Sequence, residues 1–240
     1  VHLEGVRSHV MPIAEETRES FSVHETASGE DYRFVLPGPV VNSAEWQACV
    51  DYLTQHWPKK YLVLSGGLSP GMPDDAYAQL VRAAHAKGVR VVLDTNGPAL
   101  KLALEAKGVT LFKPSLRELC DLTGQTLHSD AQCVAAARTL IGQEATQMVA
   151  VSLGSDGALL VTADGAWRAP AVRVDVQTTI GAGDSFVGGM VWSLANGDAP
   201  EVAFRWGMAA GAASLLMPGT ALCQASDVQR LVHAVELTRL

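Results

Sequence analysis

The sequence predicts an α/β protein whose central sheet is mainly parallel. Short apolar segments rich in β-branched residues recur through residues 39–240, and helical patterns separate them. Segments of this kind are typical of strands buried on both faces, as in a parallel sheet covered by helices. The first 38 residues follow a different pattern and predict a β-hairpin. A chain of 240 residues can bury one large core of this type.

The hairpin is predicted within residues 16–37, where apolar and polar residues alternate. Phe21 and Val23 share one face, and the letters ASGED supply a turn before the second strand, YRFVL. Little in this segment could bury both faces of such a hairpin, and an isolated hairpin is marginal in water. We therefore expect the hairpin to pack against another element or another chain.

Four buried strands are predicted in the larger region, at Lys60–Ser65, Val89–Asp94, Val109–Phe112 and Met148–Ser152. Between them lie helical patterns such as DDAYAQLVRAAHAKG, which ends at a Lys-Gly stop. Ligands of parallel sheets bind beyond the carboxyl ends of the strands. The segments that follow these ends, SGGLSPG, DTNGPAL, KPSLRE and SLGSDGA, are rich in Gly, Ser and charged residues, so we expect the site there.

Charge and cysteine content exclude several classes of function. The formal net charge is −7 and there is no run of Lys and Arg, so neither nucleic acid nor an anionic membrane is an expected partner. The chain has no apolar signal core at its start and no apolar run near the ~20 residues that span a bilayer. The four cysteines lack CxxC spacing, which favours reduced thiols in a cytoplasmic protein.

The stretch Gly181-Ala182-Gly183-Asp184 interrupts an apolar run and leads into the helical pattern DSFVGGMVWSLANG. Residues without bulk let backbone N–H groups approach a ligand closely, and the start of a helix attracts anions. The Asp184 carboxylate could accept a proton from a hydroxyl within reach. An anion site beside a base is what phosphoryl transfer to an alcohol requires.

A plainer interpretation of this stretch stays open at this point, in which Asp184 caps a helix and the glycines form a tight turn. A dinucleotide fingerprint GxGxxG does not fit, because position 186 is Phe and no strand pattern follows the helix. The P-loop pattern GxxxxGK[ST] and the HRD and DFG patterns of protein kinases do not occur either.

The stretch TTIGAGDSFVGG resembles the second signature of the ribokinase-like, PfkB-type carbohydrate kinases. The segments SGGLSPG, DTNGPAL, KPSLRE, VSLGSDGA and MPGTALC resemble further blocks of that family in the same order. ETRESFSVHETASGEDYRFVLPGP is most similar to its 6-phosphofructokinase branch, with 1-phosphofructokinases and tagatose-6-phosphate kinases as near relatives. The resemblance covers essentially all 240 residues. It implies part of a β lid with its connections over residues 1–38 and a ribokinase-like, three-layer nucleotide-binding core over residues 39–240.

The resemblance implies a kinase that uses ATP and Mg²⁺. Asp184 would take the proton of the sugar hydroxyl, and Gly181, Ala182 and Gly183 would form the anion hole. Glu118 and Ser115 would act on Mg²⁺, which usually keeps several waters. Nucleotide contacts are implied for Lys113, Ser115, Ser152, Gly154, Ser155, Gly157, Met208 and Ala212. Without the resemblance, Lys113 would be interpreted as an exposed lysine and Glu118 as a solvated helix acid. The segment SLGSDGA would be interpreted as an ordinary turn, and Met208 and Ala212 as core residues.

The resemblance also implies contacts for the sugar and for a monovalent cation such as K⁺. Arg18 would contact the phosphate of a sugar phosphate, for which a guanidinium is well suited. Gly67 stands where the family often has a serine that meets this phosphate. The lid would pair with the lid of a second subunit, making a homodimer. Oxygens for the cation are implied at Thr178, Ile180, Ser214 and Gly219.

The sequence departs from the family at three places. The family's first strand, whose Asp grips sugar hydroxyls, its Gly-Gly signature and a neighbouring lysine have no counterpart. Ser115 replaces the usual Asn of the KPN block, and Gly67 removes a donor worth about 1–2 kcal/mol.

The favoured activity is phosphorylation of fructose 6-phosphate, with 1-phosphofructokinase or tagatose-6-phosphate kinase activity as alternatives. A non-catalytic, nucleotide-binding or dimerising fragment and a kinase for nucleosides or unphosphorylated sugars are the other hypotheses.

Overall fold

The computed structural model describes residues 5–28 and 30–240. Residues 1–4 and Gly29, which belong to the predicted lid segment, lie outside the described residues. The strands of the described part are β1 (Ser20–Glu25), β2 (Glu30–Val35), β3 (Tyr61–Ser65), β4 (Arg90–Asp94), β5 (Val109–Phe112), β6 (Thr146–Ser152), β7 (Ala158–Thr162), β8 (Ala166–Ala169) and β9 (Thr238–Arg239).

Seven strands of this part form one mixed sheet in the order β3-β4-β5-β6-β7-β8-β9. The first four are parallel, and β7, β8 and β9 add an antiparallel meander to them. The four predicted parallel strands are confirmed with ends that shift by two residues at most, since β3 begins at Tyr61 and β6 at Thr146. The sequence patterns had not located β8 or the short, exposed β9.

The helices are α1 (Ser43–Gln55), α2 (Ala76–Ala86), α3 (Gly97–Glu105), α4 (Leu116–Thr123), α5 (Asp130–Gly142), α6 (Ala182–Asn196), α7 (Pro200–Ser214) and α8 (Ala225–Leu231). One apolar cluster packs α1 to α5 on one face of the sheet, and a second packs α6, α7 and α8 on the other. The predicted α/β fold with helices on both faces is therefore confirmed. Among the described helices, none combines the length and apolar character that a bilayer crossing needs.

The strands β1 and β2 form the predicted hairpin as a separate two-stranded sheet. Phe21 is paired with Phe34 and Val23 with Tyr32, so these four side chains share one face. The two phenylalanine rings stack with centroids 5.0 Å apart. All four side chains are between 45% and 53% exposed, so about half of this apolar face remains open to solvent.

Candidate active site

The carboxyl ends of β3, β4, β5 and β6 bring four of the predicted segments together. Ser65 at the end of β3 is paired with Asp94 at the end of β4. Beyond β5, Ser115 forms a parallel bridge with Ser152, the last residue of β6. The predicted position of the site is explained by this register, because parallel strands end at the same edge of the sheet.

The first turn of α6 carries the Gly-Ala-Gly-Asp stretch. Gly181 is the N-cap, with φ of 80°, and this left-handed conformation turns the chain into a helix that begins at Ala182. No side chain of the described residues caps this end, so the first N–H groups keep their donors for a ligand. Asp184 lies within the first turn and is exposed. The interpretation of Asp184 as the helix cap is therefore wrong, because the capping position belongs to Gly181.

Lys113, one residue past β5, is nearly buried beside this turn. Its Nζ lies 3.2 Å from Asp94 Oδ1, and its backbone N–H donates to the Leu93 carbonyl at 3.1 Å. A methyl group added to Gly183 would lie 3.4 Å from Lys113 Nζ. The ammonium and the positive end of α6 therefore face the same space, which suits a polyanionic phosphate group.

Asp94 is a charged residue of the site that the sequence patterns did not single out. Burial raises the pKa of its carboxyl, the Lys113 ammonium opposes that shift, and the carboxylates of Asp184 and Glu118 add to it. Four charged side chains therefore interact around the start of α6: Asp94, Lys113, Glu118 and Asp184. The position of Asp94 at the end of a buried strand, in DTNGPAL, was the available signal.

Ser115 and Glu118 cap the N-terminus of α4 in a reciprocal arrangement. Ser115 Oγ accepts from the Glu118 N–H at 3.2 Å, and Glu118 Oε2 accepts from the Ser115 N–H at 2.7 Å. This capping box holds the Glu118 carboxylate at its own helix. The described residues contain no group of three or more His, Cys, Asp or Glu side chains that could hold a metal ion. A Mg²⁺ ion fits here only as a companion of phosphate oxygens.

A cavity of about 730 Å³ opens between α6, α7 and the loops after β6 and β8. Apolar side chains form most of its wall, which suits an aromatic base. Nine of the predicted residues line it: Lys113, Ser152, Gly154, Ser155, Gly157, Ala182, Gly183, Met208 and Ala212. The sequence patterns missed several others, and these are Ala158, Ala171, Val172, Arg173, Val174, Val176, Thr179, Phe186, Gly211 and Leu215.

The turn from Gly154 to Gly157 forms the floor of this cavity. Gly157 has φ of 105°, and a Cβ there would collide with the Ala169 carbonyl oxygen, so only glycine fits. Arg168 fastens the turn, since its Nη2 donates to the Asp156 carbonyl at 2.7 Å. The floor is thus a preformed backbone cradle rather than a loose loop.

The residues predicted for a monovalent cation lie around the end of α7. The Gln177 N–H donates to the Leu215 carbonyl at 2.7 Å, which holds the segment before α6 against this end. Thr178 and Ser214 are both buried. Thr178 Oγ1 accepts from the Ile180 N–H at 3.2 Å, and Ser214 Oγ donates to the Gly211 carbonyl at 2.8 Å. Gly219 lies in the turns that follow α7 and is exposed, with φ of 60°.

The two residues predicted for the sugar phosphate lie apart from this cavity. Arg18 precedes β1 and is exposed, and Gly67 lies two residues beyond β3 with open space around it. Neither belongs to the cavity lining within the described residues. The geometry therefore assembles a largely apolar cavity and the turn beside it, whereas the two predicted sugar contacts lie outside the cavity lining.

Residues 2–227 match the pfkB family of carbohydrate kinases. The chain is 40% identical over 227 residues to the ATP-dependent 6-phosphofructokinase isozyme 2 of Mycobacterium tuberculosis, covering 94% of this chain and 66% of that protein. It is 36% identical over 202 residues to the 1-phosphofructokinase of Xanthomonas campestris, covering 82% of this chain and 63% of that protein. The crystal structure of Escherichia coli phosphofructokinase-2 in complex with potassium superposes with a TM-score of 0.86 at 37% identity, covering 91% of this chain and 71% of that one.

The fold and the Gly-Ala-Gly-Asp turn beside the cavity define a ribokinase-like α/β protein. The chain belongs to the pfkB family of carbohydrate kinases. It spans about two thirds of the length of the curated relatives that it matches, 66% for the M. tuberculosis protein and 63% for the X. campestris protein.

Proposed function

We propose that this protein transfers the γ-phosphoryl group of ATP to a hydroxyl of a sugar phosphate, with fructose 6-phosphate as the preferred acceptor. The observation that carries the proposal is the uncapped first turn of α6, which presents free N–H donors beside the Lys113 ammonium and also carries Asp184. Donors for a transferring phosphoryl group and a carboxylate for the acceptor hydroxyl are the parts that this reaction needs.

The chain's own residues can bind the nucleotide, stabilise the phosphoryl group and accept the proton in this reaction. Met208 and Ala212 on α7 offer an apolar surface to the base, and the turn that ends at Gly157 cradles the rest of the nucleotide. Lys113 and the N–H groups at the start of α6 stabilise negative charge on the phosphoryl group. Asp184 is exposed and accepts the proton from the attacking hydroxyl.

Bound Mg²⁺ would supply charge neutralisation at the phosphates, with Glu118 as its nearest predicted partner through water. Ser115 would remain the helix cap that orients Glu118, since its hydroxyl is already engaged there. A monovalent cation such as K⁺ would bind near Thr178 and Ser214. The potassium complex of the E. coli relative supports this assignment for the present chain.

The choice of fructose 6-phosphate rests on the relative named 6-phosphofructokinase at 40% identity. Arg18 would hold the sugar phosphate, and Gly67 would let that phosphate approach the end of β3. Phosphorylation of fructose 1-phosphate is the alternative that the relative named 1-phosphofructokinase supports. Tagatose 6-phosphate is the third acceptor to test.

We also propose that residues 1–38 act as part of a lid and that two copies of the chain pair through it. The shared face of Phe21, Val23, Tyr32 and Phe34 is exposed in the isolated chain, and apolar faces of hairpins need a partner. A second copy offers the same face by symmetry.

A cytoplasmic location is proposed because all four cysteines are free. Burial raises the pKa of the Cys133 thiol, which keeps that thiol protonated and unreactive. Reduced, inert thiols are typical of proteins in a reducing compartment.

The test is ADP release by the purified 240-residue chain with Mg-ATP. Fructose 6-phosphate, fructose 1-phosphate, tagatose 6-phosphate and unphosphorylated fructose serve as acceptors, and Asp184→Asn serves as the matched control. We expect turnover with fructose 6-phosphate and a loss of kcat of about 10²–10⁴-fold in the control, because the amide cannot accept a proton. Wild-type kcat in Asp184→Asn would refute the role of Asp184 as the base.

A second candidate function is nucleotide binding without transfer. It is favoured by the position of Arg18 and Gly67, which lie outside the lining of the cavity. Calorimetry with ATP distinguishes the two functions. Tight ATP binding together with no turnover on any of the four acceptors would support the second candidate and exclude the first for this chain.

A further inference from the structure

A second cavity lies at the opposite end of the sheet from the candidate active site. It has a volume of about 360 Å³ and is lined by Lys59, Lys60, Gly88, Arg90 and residues 194–197. β3 and β4 begin beside this cavity. The five residues of β3 separate it from the active-site end by roughly 16 Å, the length of such a strand.

The ionisable side chains that line this cavity, Lys59, Lys60 and Arg90, all carry positive charge. The whole chain is acidic, with 25 Asp and Glu against 18 Lys and Arg, so this cavity inverts the overall charge. None of the three forms an ion pair with a carboxylate of the described residues. Three like charges around one cavity repel one another, and an anion between them relieves that repulsion.

Two of these cations, Lys60 and Arg90, have contacts that hold them in place. The Lys60 ammonium donates to the Ala195 carbonyl in the last turn of α6, a favourable position for a cation. Arg90 Nη1 donates to Tyr61 Oη at 2.9 Å, and the guanidinium lies over the tyrosine ring, 5.4 Å from its centroid. Helix capping explains why a cation stands at position 60, but it does not explain the positive charges of Arg90 and Lys59 at the same cavity.

The guanidinium of Arg90 is preorganised by Tyr61, and this contact leaves most of its five N–H donors for a ligand. A planar guanidinium fork matches phosphate oxygens in pairs, while the lysines act as point charges beside it. The cavity volume falls at the lower end of the range for small-molecule sites. We propose that this cavity binds a small phosphate-bearing anion, independently of the kinase function proposed above.

The experiment is isothermal titration of the 240-residue chain with inorganic pyrophosphate at low and constant ionic strength. The test variant carries Lys59→Gln and Arg90→Gln. The matched control carries Lys101→Gln and Arg138→Gln, two exposed cations on α3 and α5 whose loss changes the net charge equally. We expect one binding event to weaken at least tenfold in the test variant and to persist unchanged in the control. A pyrophosphate event at the active site stays the same in both.

Three results would overturn the proposal. The first is no pyrophosphate binding by the wild-type chain, and the second is identical isotherms for the wild type and the test variant. The third is equal weakening in the test variant and the control, which would mean a general effect of charge. If the test variant does not fold, Lys59→Gln alone replaces it, because Lys59 is exposed and precedes β3. An unchanged isotherm for that single variant also overturns the proposal.

Discussion

The strand β5 and the hairpin β1–β2 are both rich in apolar residues, yet they end in opposite environments. All four residues of β5 are buried between the two helical layers. The four side chains that share one face of the hairpin are about half exposed. The apolar content of a strand thus predicts that the strand packs against another element. Whether that element belongs to the same chain depends on how the neighbouring layers are arranged.

The sharpest test of this difference compares two phenylalanines by truncation. Phe112→Ala removes a fully buried side chain from β5, and we expect it to lower the free energy of unfolding by about 3–5 kcal/mol. Phe21→Ala removes an exposed ring from the hairpin and should change this free energy by less than about 0.5 kcal/mol in the monomer. Urea denaturation at low protein concentration measures both. Equal losses would mean that the hairpin is part of the cooperative core.

A second comparison separates the two proposed halves of the active site. Lys113→Gln removes a charged donor beside the start of α6, and we expect ATP affinity to fall roughly tenfold to a hundredfold. Arg18→Ala should leave ATP affinity unchanged, because this exposed arginine lies outside the cavity lining, and should raise the KM for fructose 6-phosphate about tenfold. Calorimetry with ATP and steady-state kinetics measure the two effects. Unchanged turnover on sugar phosphates in Arg18→Ala would exclude the contact between Arg18 and the substrate phosphate.

The exposed hairpin face is tested by self-association. Phe21→Ser places a hydroxyl on that face, and we expect the dimer dissociation constant to rise at least tenfold, since burial of a phenylalanine contributes about 1.5–3 kcal/mol and both copies lose the ring. Sedimentation equilibrium of the wild type and the variant measures this constant. The exposed residue Val202 on α7 supplies a control as Val202→Ser, which should leave the constant unchanged. A wild-type chain that stays monomeric at all concentrations would contradict the prediction.

The smallest expected effect concerns the pH dependence of stability at Asp94. Because burial raises the pKa of this carboxyl above its ordinary 3.8, the folded state holds the proton more tightly than the unfolded state. The Asp94 contribution to stability therefore falls as the pH rises through this window, and Asp94→Asn removes that fall. The free energy of unfolding of the wild type should decline relative to the variant by less than about 1.4 kcal/mol per pH unit.

Urea denaturation from about pH 4 to about pH 7 measures this difference. The variant also leaves Lys113 without its partner carboxylate, but that loss shifts the whole curve and does not change its slope. Parallel curves for the two proteins would show that Asp94 does not titrate differently on folding.

Much of this architecture could be predicted from local sequence patterns. The parallel strands and the turn at Gly181 were predictable because buried strands and helix starts leave local signals in residue type. Asp94 was not, since its importance arises from Lys113, which is distant in sequence and meets it only across adjacent strands. The engagement of Glu118 with its own helix was missed, although the Ser-x-x-Glu spacing of Ser115 and Glu118 is the sequence pattern of a capping box.

Gly157 shows a second kind of constraint that local sequence patterns do not reveal. Its turn looked ordinary in the sequence, although its φ of 105° and the Ala169 carbonyl behind it leave no room for a side chain. This constraint comes from β8, an element that the sequence patterns had not located. The site residues Arg18 and Gly67 stay predictions, because their roles depend on a ligand.

The order of strands in the main sheet follows the order of the chain from β3 to β9. Each strand therefore pairs with the one synthesised just before it, and none must insert between two strands that already pair. A growing chain that leaves the ribosome can extend this sheet one strand at a time at a single open edge. The pairing of β9 with β8 extends the meander and holds residues 238–239 against the folded body.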